Sequence, residues 1–386
     1  MNRDFPYNVE LYLYSRSPHI SMIIVGFLML KERGIIQLKI TPKYINNKKY
    51  PHPHIVEAVV NDKIFVYDCW DICDWTASDW EKEKWADITS NESLLSNIDF
   101  YFKRSYSESR NSCLSEANRK KIFPLGFNFH VSITNNPIDY LKILSIDHLK
   151  YILKTVFFPY KYKYGQVYTI DKFEAPANYV SAENLKILFL CRLWDPCSKG
   201  VWNNEKRIER EYINNTRIGI IKKLKQLYPD NFIGGIDRSE FTEKTCEELI
   251  ISNEMTNRST YIELMKKCDI CIGTMGLHES IGWKTGEYVA ASRAIVNEKF
   301  HYEIPYSFES FKNYFPFESI DECISTVSML MENPDKVYMQ KVENEKYYNA
   351  FLRPDKQIIN TFNIVNNQGK HLSKDKDADN TTCGLK

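Results

Sequence analysis

The sequence predicts an α/β fold with two domains, each built on a parallel sheet. Three observations lead to this prediction. The chain has 386 residues, which is more than one ordinary hydrophobic core accommodates. Short runs rich in β-branched and aromatic residues alternate with stretches of helical spacing. The alternation stops once, at a polar connector over residues 169–184, and then begins again.

The first domain is predicted to begin with a β-α-β unit. Residues 9–14 and 35–40 have the composition of strands, and the apolar run 20–30 between them is expected to form a buried helix. This run is shorter than the about twenty residues that a membrane-spanning helix needs. The remaining elements expected in this domain are strands at 55–60, 63–68, 98–103 and 121–127 and a helix at 138–156.

The second domain is predicted from a restart of the pattern after the connector. The expected elements are strands at 186–193, 232–236, 269–273 and 294–298 and helices at 209–227 and 260–267. Strands that alternate with helices imply right-handed crossovers and parallel sheets. We therefore predict two Rossmann-like domains, with ligands binding at the carboxyl ends of the strands.

The predicted domain boundaries follow from this pattern. Residues 1–170 form the first domain, which a C-terminal helix at about 345–365 completes, and residues 180–340 form the second. The tail, residues 366–386, is polar with few large apolar side chains. Such a composition buries too little apolar surface to order the chain, so we predict that the tail is disordered.

Charge and cysteine content exclude some classes of function. The formal net charge is +1, from 51 basic and 50 acidic residues, whereas a nucleic-acid-binding domain is usually clearly basic. The N-terminus does not resemble a signal peptide and the ten cysteines follow no regular spacing, so we expect reduced thiols in the cytoplasm. The close pairs Cys69/Cys73 and Cys268/Cys271 lack the further ligands of a zinc site. No metal site is predicted.

The segment GLHESIGWKTGEYVAASRAIV, residues 276–296, contains two glutamates eight positions apart, Glu279 and Glu287. It follows a predicted buried strand, so its first residues are expected to form a loop at the carboxyl end of that strand. A helix is expected over 281–292, with Ser280 as its N-cap. At a rise of about 1.5 Å per residue, eight helical positions separate the two carboxylates by about 12 Å.

This segment has the properties of a nucleotide-sugar site. Carboxylates accept hydrogen bonds from vicinal hydroxyls, and the N–H groups at a helix start bind phosphate. Gly276 and Gly282 allow the backbone to approach a ligand closely, and Lys284, one turn into the helix, is a candidate phosphate ligand. We therefore expect Glu287 on the ribose, the helix start on the diphosphate and Glu279 near the sugar.

The spacing Glu279-x7-Glu287, after a short strand and before another, resembles the E-x7-E motif of GT-B-fold glycosyltransferases, chiefly the retaining kind. ILFLCRLWDPCSKG, residues 187–200, resembles the strand and the Arg…Lys-Gly sequence with which the second domain of that family begins. The resemblance implies that Arg192 and Lys199 bind the diphosphate of the donor.

Two more segments resemble parts of the same family. IFPLGFN, residues 122–128, is similar to the proline/glycine loop that ends the first domain. YYNAFLRPDKQIINTF, residues 347–362, is similar to the closing helix that returns to that domain. The resemblance is good over about residues 186–317. It implies a GT-B fold, in which two Rossmann-like domains face each other across a cleft.

The function that the resemblance implies is transfer of a sugar from a nucleotide-diphosphate donor to a glycan, a lipid-linked acceptor or another hydroxyl. It further implies a retaining, hexosyltransferase-like enzyme of polysaccharide or glycoconjugate synthesis that requires no cofactor and no metal. We expect a cytoplasmic protein. Lysines alternate with aromatic residues at 154–165, and we expect this stretch to be a packed hinge with partly buried lysines. The alternative for that stretch is peripheral contact with the inner face of a membrane, near a lipid-linked acceptor.

Further candidate residues lie in loops next to strands. His278 is adjacent to Glu279, and His19 lies between the first strand and its helix, a common catalytic or acceptor position in this architecture. These two histidines and Glu279 are the predicted catalytic residues. Lys103 and Arg104 follow a predicted strand and are expected to face the cleft, where one of them would bind donor phosphate or an acidic acceptor.

Two other functions are compatible with the same two-domain fold. The first is a non-catalytic, glycosyltransferase-like subunit that binds a nucleotide-sugar or a glycan. The second is a nucleotide-sugar epimerase, in which His278 and Glu279 would serve as acid and base. A dehydrogenase is disfavoured because no predicted strand is followed by Gly-x-Gly-x-x-Gly.

Overall fold

The computed structural model describes residues 6–43, 49–73, 75, 88–136, 167–198, 201 and 203–379. The chain divides into two compact units, Met1–Leu125 with Ala350–Lys386, and Gly126–Asn349. Three features predicted above, the helix at 138–156, the lysine–aromatic stretch 154–165 and Lys199, lie outside the described residues.

The strands are β1 (Tyr7–Leu13), β2 (Ile36–Pro42), β3 (Ile55–Val60), β4 (Lys63–Asp68), β5 (Phe100–Lys103), β6 (Ile122–Pro124), β7 (Ile187–Cys191), β8 (Phe232–Ile236), β9 (Ile270–Gly273), β10 (Ala294–Glu298) and β11 (Phe315–Phe317). The helices are α1 (Ser21–Glu32), α2 (Ile88–Ser96), α3 (Glu108–Asn111), α4 (Glu116–Arg119), α5 (Ile170–Phe173), α6 (Asn204–Leu227), α7 (Glu240–Thr245), α8 (Asn253–Thr256), α9 (Arg258–Lys267), α10 (Trp283–Ala290), α11 (Ile320–Met331), α12 (Pro334–Tyr347) and α13 (Pro354–Asp379). Short 3-10 turns lie at Pro18–Ile20, Ala182–Asn184, Glu247–Leu249 and Leu277–Glu279, and a π-helical turn lies at Tyr348–Leu352.

The first unit is built on a six-stranded sheet in the order β2-β1-β3-β4-β5-β6. β1 and β2 are parallel, as are β4, β5 and β6, but β3 runs antiparallel to both of its neighbours. The prediction of a parallel sheet is therefore wrong at β3. A hairpin joins β3 to β4 through Asn61 and Asp62, whose φ angles of 45° and 67° suit the two-residue turn that such hairpins use.

Helices α1 and α13 pack directly against each other in this unit. At Gly26 of α1, a Cβ atom would lie 2.4 Å from the carbonyl oxygen of Pro354. Only glycine therefore lets the two helices approach this closely. A hydrogen bond of 2.8 Å between the hydroxyls of Tyr67 and Thr361 joins β4 to α13. The C-terminal helix is thus part of the core of the first unit.

Helix α13 continues to Asp379, whereas the sequence predicted a disordered tail from residue 366. The first turns of the helix are anchored by the buried side chains of Ile358 and Phe362. Once a helix has begun, each further residue adds one hydrogen bond without the cost of a new nucleus. The tail therefore needs no apolar face of its own to be helical.

The second unit begins at Gly126, whereas the sequence predicted a domain boundary near residue 170. The physical reason is aromatic packing within the second unit. The ring centroids of Phe127 and Phe308 lie 4.8 Å apart, and both Phe127 and Phe129 are buried. The segment directly after β6 therefore belongs to the core of the second unit.

The second unit is built on a five-stranded parallel sheet in the order β11-β10-β9-β7-β8. The two sheets and their helices confirm the prediction of an α/β fold with two Rossmann-like domains. The strand order reverses between β7 and β9, because β8 lies on the other side of β7. Open α/β sheets bind ligands at the carboxyl ends of their strands at such a switch point. The ends of β7 and β9 are therefore where a site is expected.

Within the described part of the chain, no helix combines the length and the apolar surface needed to cross a membrane. A span takes about twenty predominantly apolar residues. The apolar helix α1 has 12 residues, and the longer helices α6 and α13 carry many charged side chains.

Candidate functional site

A buried arginine ties together the two loops at the switch point. Arg217, on α6, donates hydrogen bonds to the carbonyl oxygen of Arg192 at 2.6 Å, to Oγ1 of Thr274 at 2.9 Å and to the carbonyl oxygen of Met275 at 3.0 Å. The first acceptor follows β7 and the other two follow β9. Burial lowers the pKa of Arg217, although the group stays charged near neutral pH because an arginine pKa starts above about 12.

A buried glutamate supports the same loop from the other side. Glu298, at the end of β10, accepts a hydrogen bond from the backbone N–H of Met275 at 2.6 Å and one from the hydroxyl of Tyr212 at 3.3 Å. Burial raises the pKa of Glu298, and the Met275 hydrogen bond partly opposes that rise. Arg217 and Glu298 were not among the residues predicted from the sequence, and both are buried groups that bind the backbone of the loop.

The loop between β9 and α10 is held in a strained conformation. His278 and Glu279 have φ angles of 67° and 55°, in the left-handed region that non-glycine residues rarely adopt. The backbone N–H of His278 donates to the carboxylate of Glu209, and its carbonyl oxygen accepts from the hydroxyl of Tyr302 at 3.0 Å. Residues kept in this region by their surroundings cluster at functional sites.

The glycine and serine residues of this loop take different positions from those predicted. The backbone N–H of Gly276 donates to the carbonyl oxygen of Ser280 at 2.8 Å, and a Cβ atom at Gly276 would lie 2.6 Å from the Ser280 hydroxyl. The prediction that Ser280 caps the helix is wrong. Helix α10 begins at Trp283 with Gly282 as its N-cap, because the 3-10 turn Leu277–Glu279 uses the preceding residues.

Gly282 brings no capping side chain to the start of α10. The first N–H groups of a helix have no partner within the helix itself, and they favour an anion. The N-terminus of α10, at Trp283, therefore places the positive end of the helix dipole beside the loops that Arg217 holds.

A lysine of α10 reaches back to β7. The ammonium group of Lys284 donates to the carbonyl oxygen of Leu190 and lies 5.1 Å from the centre of the Tyr261 ring. Burial lowers the pKa of Lys284 to about 8. Cys191 and Glu287 oppose this shift, while Arg217 adds to it. Lys284 thus lies at the switch point and is positively charged below about pH 8.

The second glutamate of the motif is covered by an ion pair. The side chain of Glu287 is 1% exposed, and its two carboxylate oxygens accept from the guanidinium of Arg258 at 2.5 and 3.2 Å. Burial disfavours the charge of Arg258, but the attraction and hydrogen bonds of Glu287 outweigh it and raise the pKa of the arginine. Glu287 is therefore closed to solvent, and sequence analysis did not identify Arg258 as its partner.

The first glutamate of the motif is open to solvent. The side chain of Glu279 is 45% exposed and lies 3.6 Å from Nδ1 of His301. Its neighbour His278 is partly buried. Burial lowers the pKa of His278 to about 3, and the cations Lys206 and Arg210 add to that effect. His278 is therefore neutral at pH 7 and too weak a base to hold a proton there.

Two guanidinium groups, one from the loop after β7 and one from α6, lie near one indole. The guanidinium of Arg192 lies 4.0 Å from the centre of the Trp194 ring, and that of Arg210 lies 5.9 Å from it. Asn214 fixes Trp194 by accepting from its backbone N–H at 2.9 Å and donating to its carbonyl oxygen at 2.7 Å. Arg192 is exposed, as a ligand-binding role requires. The predicted role of Lys199 falls on an undescribed residue.

The structure therefore brings most of the predicted site residues together at one end of the second sheet. We call this region the candidate donor site. It contains Arg192, Gly276, His278, Glu279, Ser280, Gly282, Lys284 and Glu287, with the additional residues Arg217, Arg258 and Glu298. His19 belongs to the first unit.

In the first unit, His19 lies in the 3-10 turn between β1 and α1. Its Nδ1 is 4.0 Å from a carboxylate oxygen of Asp71, and its ring centroid is 4.3 Å from that of His54. Burial and the neighbouring His52 lower the pKa of His54 to about 4. His19 thus has a carboxylate and a neutral imidazole as neighbours, and its catalytic role stays a prediction.

The expectation that Lys103 or Arg104 binds a phosphate is not supported. Both side chains are buried. The Lys103 ammonium lies 2.6 Å from a carboxylate oxygen of Asp68, and Arg104 pairs with Asp71. Burial favours the protonated form of Asp68, but Lys103 and His52 together outweigh this effect and lower the pKa of this carboxyl. Lys103 therefore neutralises a buried carboxylate, and Arg104 pairs with a partly exposed one.

No cluster of three or more histidine, cysteine, aspartate or glutamate side chains suited to a metal ion is found among the residues that the structure describes. Cys69, Cys73, Cys268 and Cys271 are buried free thiols. Burial raises the pKa of Cys268 to about 12, so this thiol is a poor metal ligand at neutral pH.

Comparison with known proteins gives structural matches only. No protein-family model matches the sequence, and no curated protein matches it. Among solved structures, UDP-GlcNAc 2-epimerase from Neisseria meningitidis bound to UDP-GlcNAc is 15% identical, covers 92% of this chain and 98% of its own, and has a TM-score of 0.42. Anabaena HepE in complex with UDP is 11% identical, covers 91% of this chain and 98% of its own, and has a TM-score of 0.43.

A third match covers mainly one half of the chain. The C-terminal domain of a glycosyl transferase group 1 family protein from Francisella tularensis is 11% identical, covers 47% of this chain and 95% of its own, and has a TM-score of 0.33. The matches thus include a glycosyltransferase, the class that residues 186–317 resemble, and an epimerase. At such low identities and TM-scores, the activity of this chain has to be inferred from its own residues and not from the matched proteins.

Proposed function

We propose that the second unit binds a nucleoside-diphosphate sugar and that the protein transfers the sugar to a hydroxyl acceptor. The observation that supports this most is the positive charge at the switch point of the second sheet. The guanidinium groups of Arg192 and Arg210 lie near one indole, Lys284 reaches the end of β7, and the start of α10 adds the N–H groups of a helix end. A diphosphate fits this combination of charge and donors.

The same charges serve the chemistry of transfer. Departure of the nucleoside diphosphate from the anomeric carbon leaves negative charge on its phosphate oxygens. Positioned cations and N–H groups that meet this charge as it develops stabilise the transition state. We assign this role to Arg192, Lys284 and the start of α10. The proposed chemistry requires no cofactor and no metal.

Glu279 is our candidate for contact with the donor sugar. It is the more exposed of the two motif carboxylates, and the left-handed backbone of His278 and Glu279 holds it in a defined position. A retaining outcome and a hexose donor follow only from the resemblance of the E-x7-E motif, and we include them in the proposal on that ground.

An epimerase is the competing proposal on this frame. It would need His278 and Glu279 to exchange protons with the sugar. A histidine with a pKa of about 3 is a poor proton acceptor at neutral pH, since catalytic acid–base groups work best with a pKa near the working pH. We therefore favour the transferase. For the acceptor we propose a glycan or lipid-linked hydroxyl, with His19 of the first unit as the candidate group for its proton.

Thermal unfolding in the presence of UDP-, GDP-, ADP- and CMP-linked sugars tests the donor proposal. A ligand that binds only the folded protein raises the melting temperature, by about 2.7 kcal/mol of apparent stability at 100 times its dissociation constant. We expect at least one of the diphosphate-linked sugars to do so, and Arg192→Ala together with Lys284→Met to remove the effect. If none of them shifts the melting temperature, the donor proposal is wrong.

Product analysis then separates the three functions. A transferase releases nucleoside diphosphate when a hydroxyl acceptor is present and forms a glycoside. An epimerase converts the donor into a second nucleotide-sugar without any acceptor. A binding subunit shows the thermal shift and neither product over a panel of glycan and lipid-linked acceptors.

A further inference from the structure

The loop after β10 contacts the strained loop after β9 at two adjacent positions. The hydroxyl of Tyr302 donates to the carbonyl oxygen of His278 at 3.0 Å. Next to it, Nδ1 of His301 lies 3.6 Å from a carboxylate oxygen of Glu279, within the range of an ion pair. Two neighbouring residues of one loop therefore hold two neighbouring residues of the other, and His301 is placed to set the charge around Glu279.

His301 lies among carboxylates from the ends of three strands. They are Glu279 after β9, Glu298 at the end of β10 and Glu318 after β11. Burial raises the pKa of Glu298, and protonated His301 opposes this rise. Hydrogen bonding and attraction to Lys299 lower the pKa of Glu318, and protonated His301 adds to that effect. Glu298 is buried and Glu318 has Lys299 at 2.7 Å, whereas Glu279 is solvent-exposed and forms its ion pair with His301.

Glu279 and His301 differ in what they offer a sugar. About half of each side chain is exposed, 45% for Glu279 and 53% for His301. An ionised carboxylate only accepts hydrogen bonds, whereas an imidazole N–H donates them. The hydroxyl group of a neutral sugar both donates and accepts, so it can bond to either side chain. The carboxylate of a uronic acid only accepts, so it gains no hydrogen bond from Glu279 and is repelled by its charge.

We propose that Glu279 and His301 together make the candidate donor site selective for a neutral sugar over a uronic acid. The proposal rests on the proposed function, which assigns contact with the donor sugar to Glu279. It adds a specificity-determining residue, His301, and a class of substrate, neutral hexoses. Glu279 disfavours an acidic sugar, and the positive charge of protonated His301 limits that effect. The two side chains therefore act on selectivity with opposite signs.

Equilibrium binding measures this selectivity. The probes are the UDP, GDP and ADP derivatives of glucose and of glucuronic acid, together with UDP, GDP and ADP themselves, titrated calorimetrically into the full chain. The two sugars differ only in the carboxylate that replaces one hydroxymethyl group. The selectivity ratio is the dissociation constant of the glucuronic acid derivative divided by that of the glucose derivative. We expect a ratio of about three or more for wild-type protein.

Substitutions at the two positions should move this ratio in opposite directions. Glu279→Gln keeps the size of the side chain and its hydrogen bonds but removes the negative charge, so the ratio should fall about two- to fivefold, the effect of one charge at a partly exposed site. His301→Gln removes the cationic form, whereas His301→Arg makes the charge permanent. The ratio should therefore be about two- to fivefold higher in H301Q than in H301R, with wild type between them. A general loss of affinity cancels, because both ligands are measured on the same variant.

Glu343→Gln is the matched control. Glu343 is also a partly exposed carboxylate of the second unit, and its cation, Lys346, lies 2.7 Å away. On α12 it is next to Asn344, which donates to the carbonyl oxygen of Arg293 just before the amino end of β10. It thus lies at the opposite edge of the sheet from Glu279, and E343Q should leave the ratio unchanged.

The outcomes separate this proposal from the one on which it rests. If wild-type protein binds the nucleotides but does not prefer the glucose derivative, the selection is wrong while the candidate donor site stands. The same conclusion follows if E279Q has the ratio of wild type, or if H301Q and H301R have the same ratio. If none of the probes binds wild-type protein, the donor proposal is wrong and the selection with it.

Discussion

Arg217→Met tests whether one buried guanidinium assembles the switch point of the second unit. Methionine keeps an unbranched apolar chain of similar length but donates no hydrogen bond. The substitution removes three hydrogen bonds of 2.6 to 3.0 Å, to Arg192, Thr274 and Met275. It also removes a cation that lowers the pKa of the buried Glu298, so the carboxylate becomes less stable in its charged form.

The expected magnitude follows from these contacts. A hydrogen bond from a charged donor contributes about 1.5–3 kcal/mol, and relief from burying the guanidinium offsets part of the sum of three. We expect a net loss of about 3 kcal/mol in the free energy of unfolding of the second unit, which lowers its melting temperature by about 6–12 °C for a unit of this size.

Differential scanning calorimetry of R217M beside wild type measures this shift. Arg210→Met is the matched control, because Arg210 lies on the same helix, is only partly buried and makes two hydrogen bonds of 2.8 Å. We expect R210M to melt about 2–4 °C below wild type at most. An R217M protein that melts no lower than R210M would show that the loops after β7 and β9 hold their positions without this arginine.

Three further changes have expected outcomes. The affinity for a nucleoside diphosphate should fall between pH 7 and 9, because Lys284 has a pKa of about 8 and loses its charge over this range. Calorimetric titrations of wild type and K284M at several pH values measure this fall. The affinity of K284M should not depend on pH in this way. Gly26→Ala should destabilise the first unit by about 1–3 kcal/mol, because the added methyl group overpacks against Pro354. Gly219→Ala should cause no such loss of stability, because its methyl group meets only the flexible end of the Ile320 side chain. Urea denaturation of both variants measures the two changes. Asp68→Asn should cost about 3–5 kcal/mol at pH 7 because a buried lysine loses its partner. The pKa of Asp68 in the folded protein lies below its ordinary value of 3.8. The stability that ionised Asp68 contributes is therefore present above pH 3.8 and is lost as the pH falls below 3.8. The free energies of unfolding of wild type and D68N should consequently converge in acid.

The parts of the fold that depend on local pattern could be predicted from the sequence. Residues 186–193 and 269–273 were expected as strands and contain β7 and β9, because apolar runs bounded by polar residues are visible in a short window. The segment that follows β9 was therefore placed correctly at the end of a strand. The antiparallel β3 was missed, although the Asn61–Asp62 pair between two strand-like runs is a hairpin signal.

The contacts within the candidate donor site could not be predicted in the same way. Arg217 meets Thr274 across 57 positions of the chain and Arg258 meets Glu287 across 29. Such pairs depend on how helices pack on the sheet, which a single sequence does not reveal. One signal was present: Arg217 lies one turn from Ile213 and Ile220 on the buried face of α6, where a charge is costly unless it is paired.

The error at Ser280 has a physical cause of its own. Serine is a preferred N-cap residue, but here the backbone of the 3-10 turn Leu277–Glu279 places Ser280 at the end of that turn. The helix then begins three residues later, at Trp283, with Gly282 as its N-cap. Propensity at one position was overridden by the strained turn before it, which is the part of the segment that presents Glu279.

The charged side chains of the candidate donor site fall into two groups, buried and exposed. This division explains how charged groups are accommodated next to a hydrophobic core. Arg217 and Glu298 are buried, and each binds backbone groups of the loops. Their burial is tolerated because these hydrogen bonds satisfy them. Arg192 is exposed and the side chain of Glu279 is 45% exposed, and these are the residues to which we assign ligand contact in the proposed function. Arg258 is intermediate, because it is partly exposed and its guanidinium compensates the buried charge of Glu287.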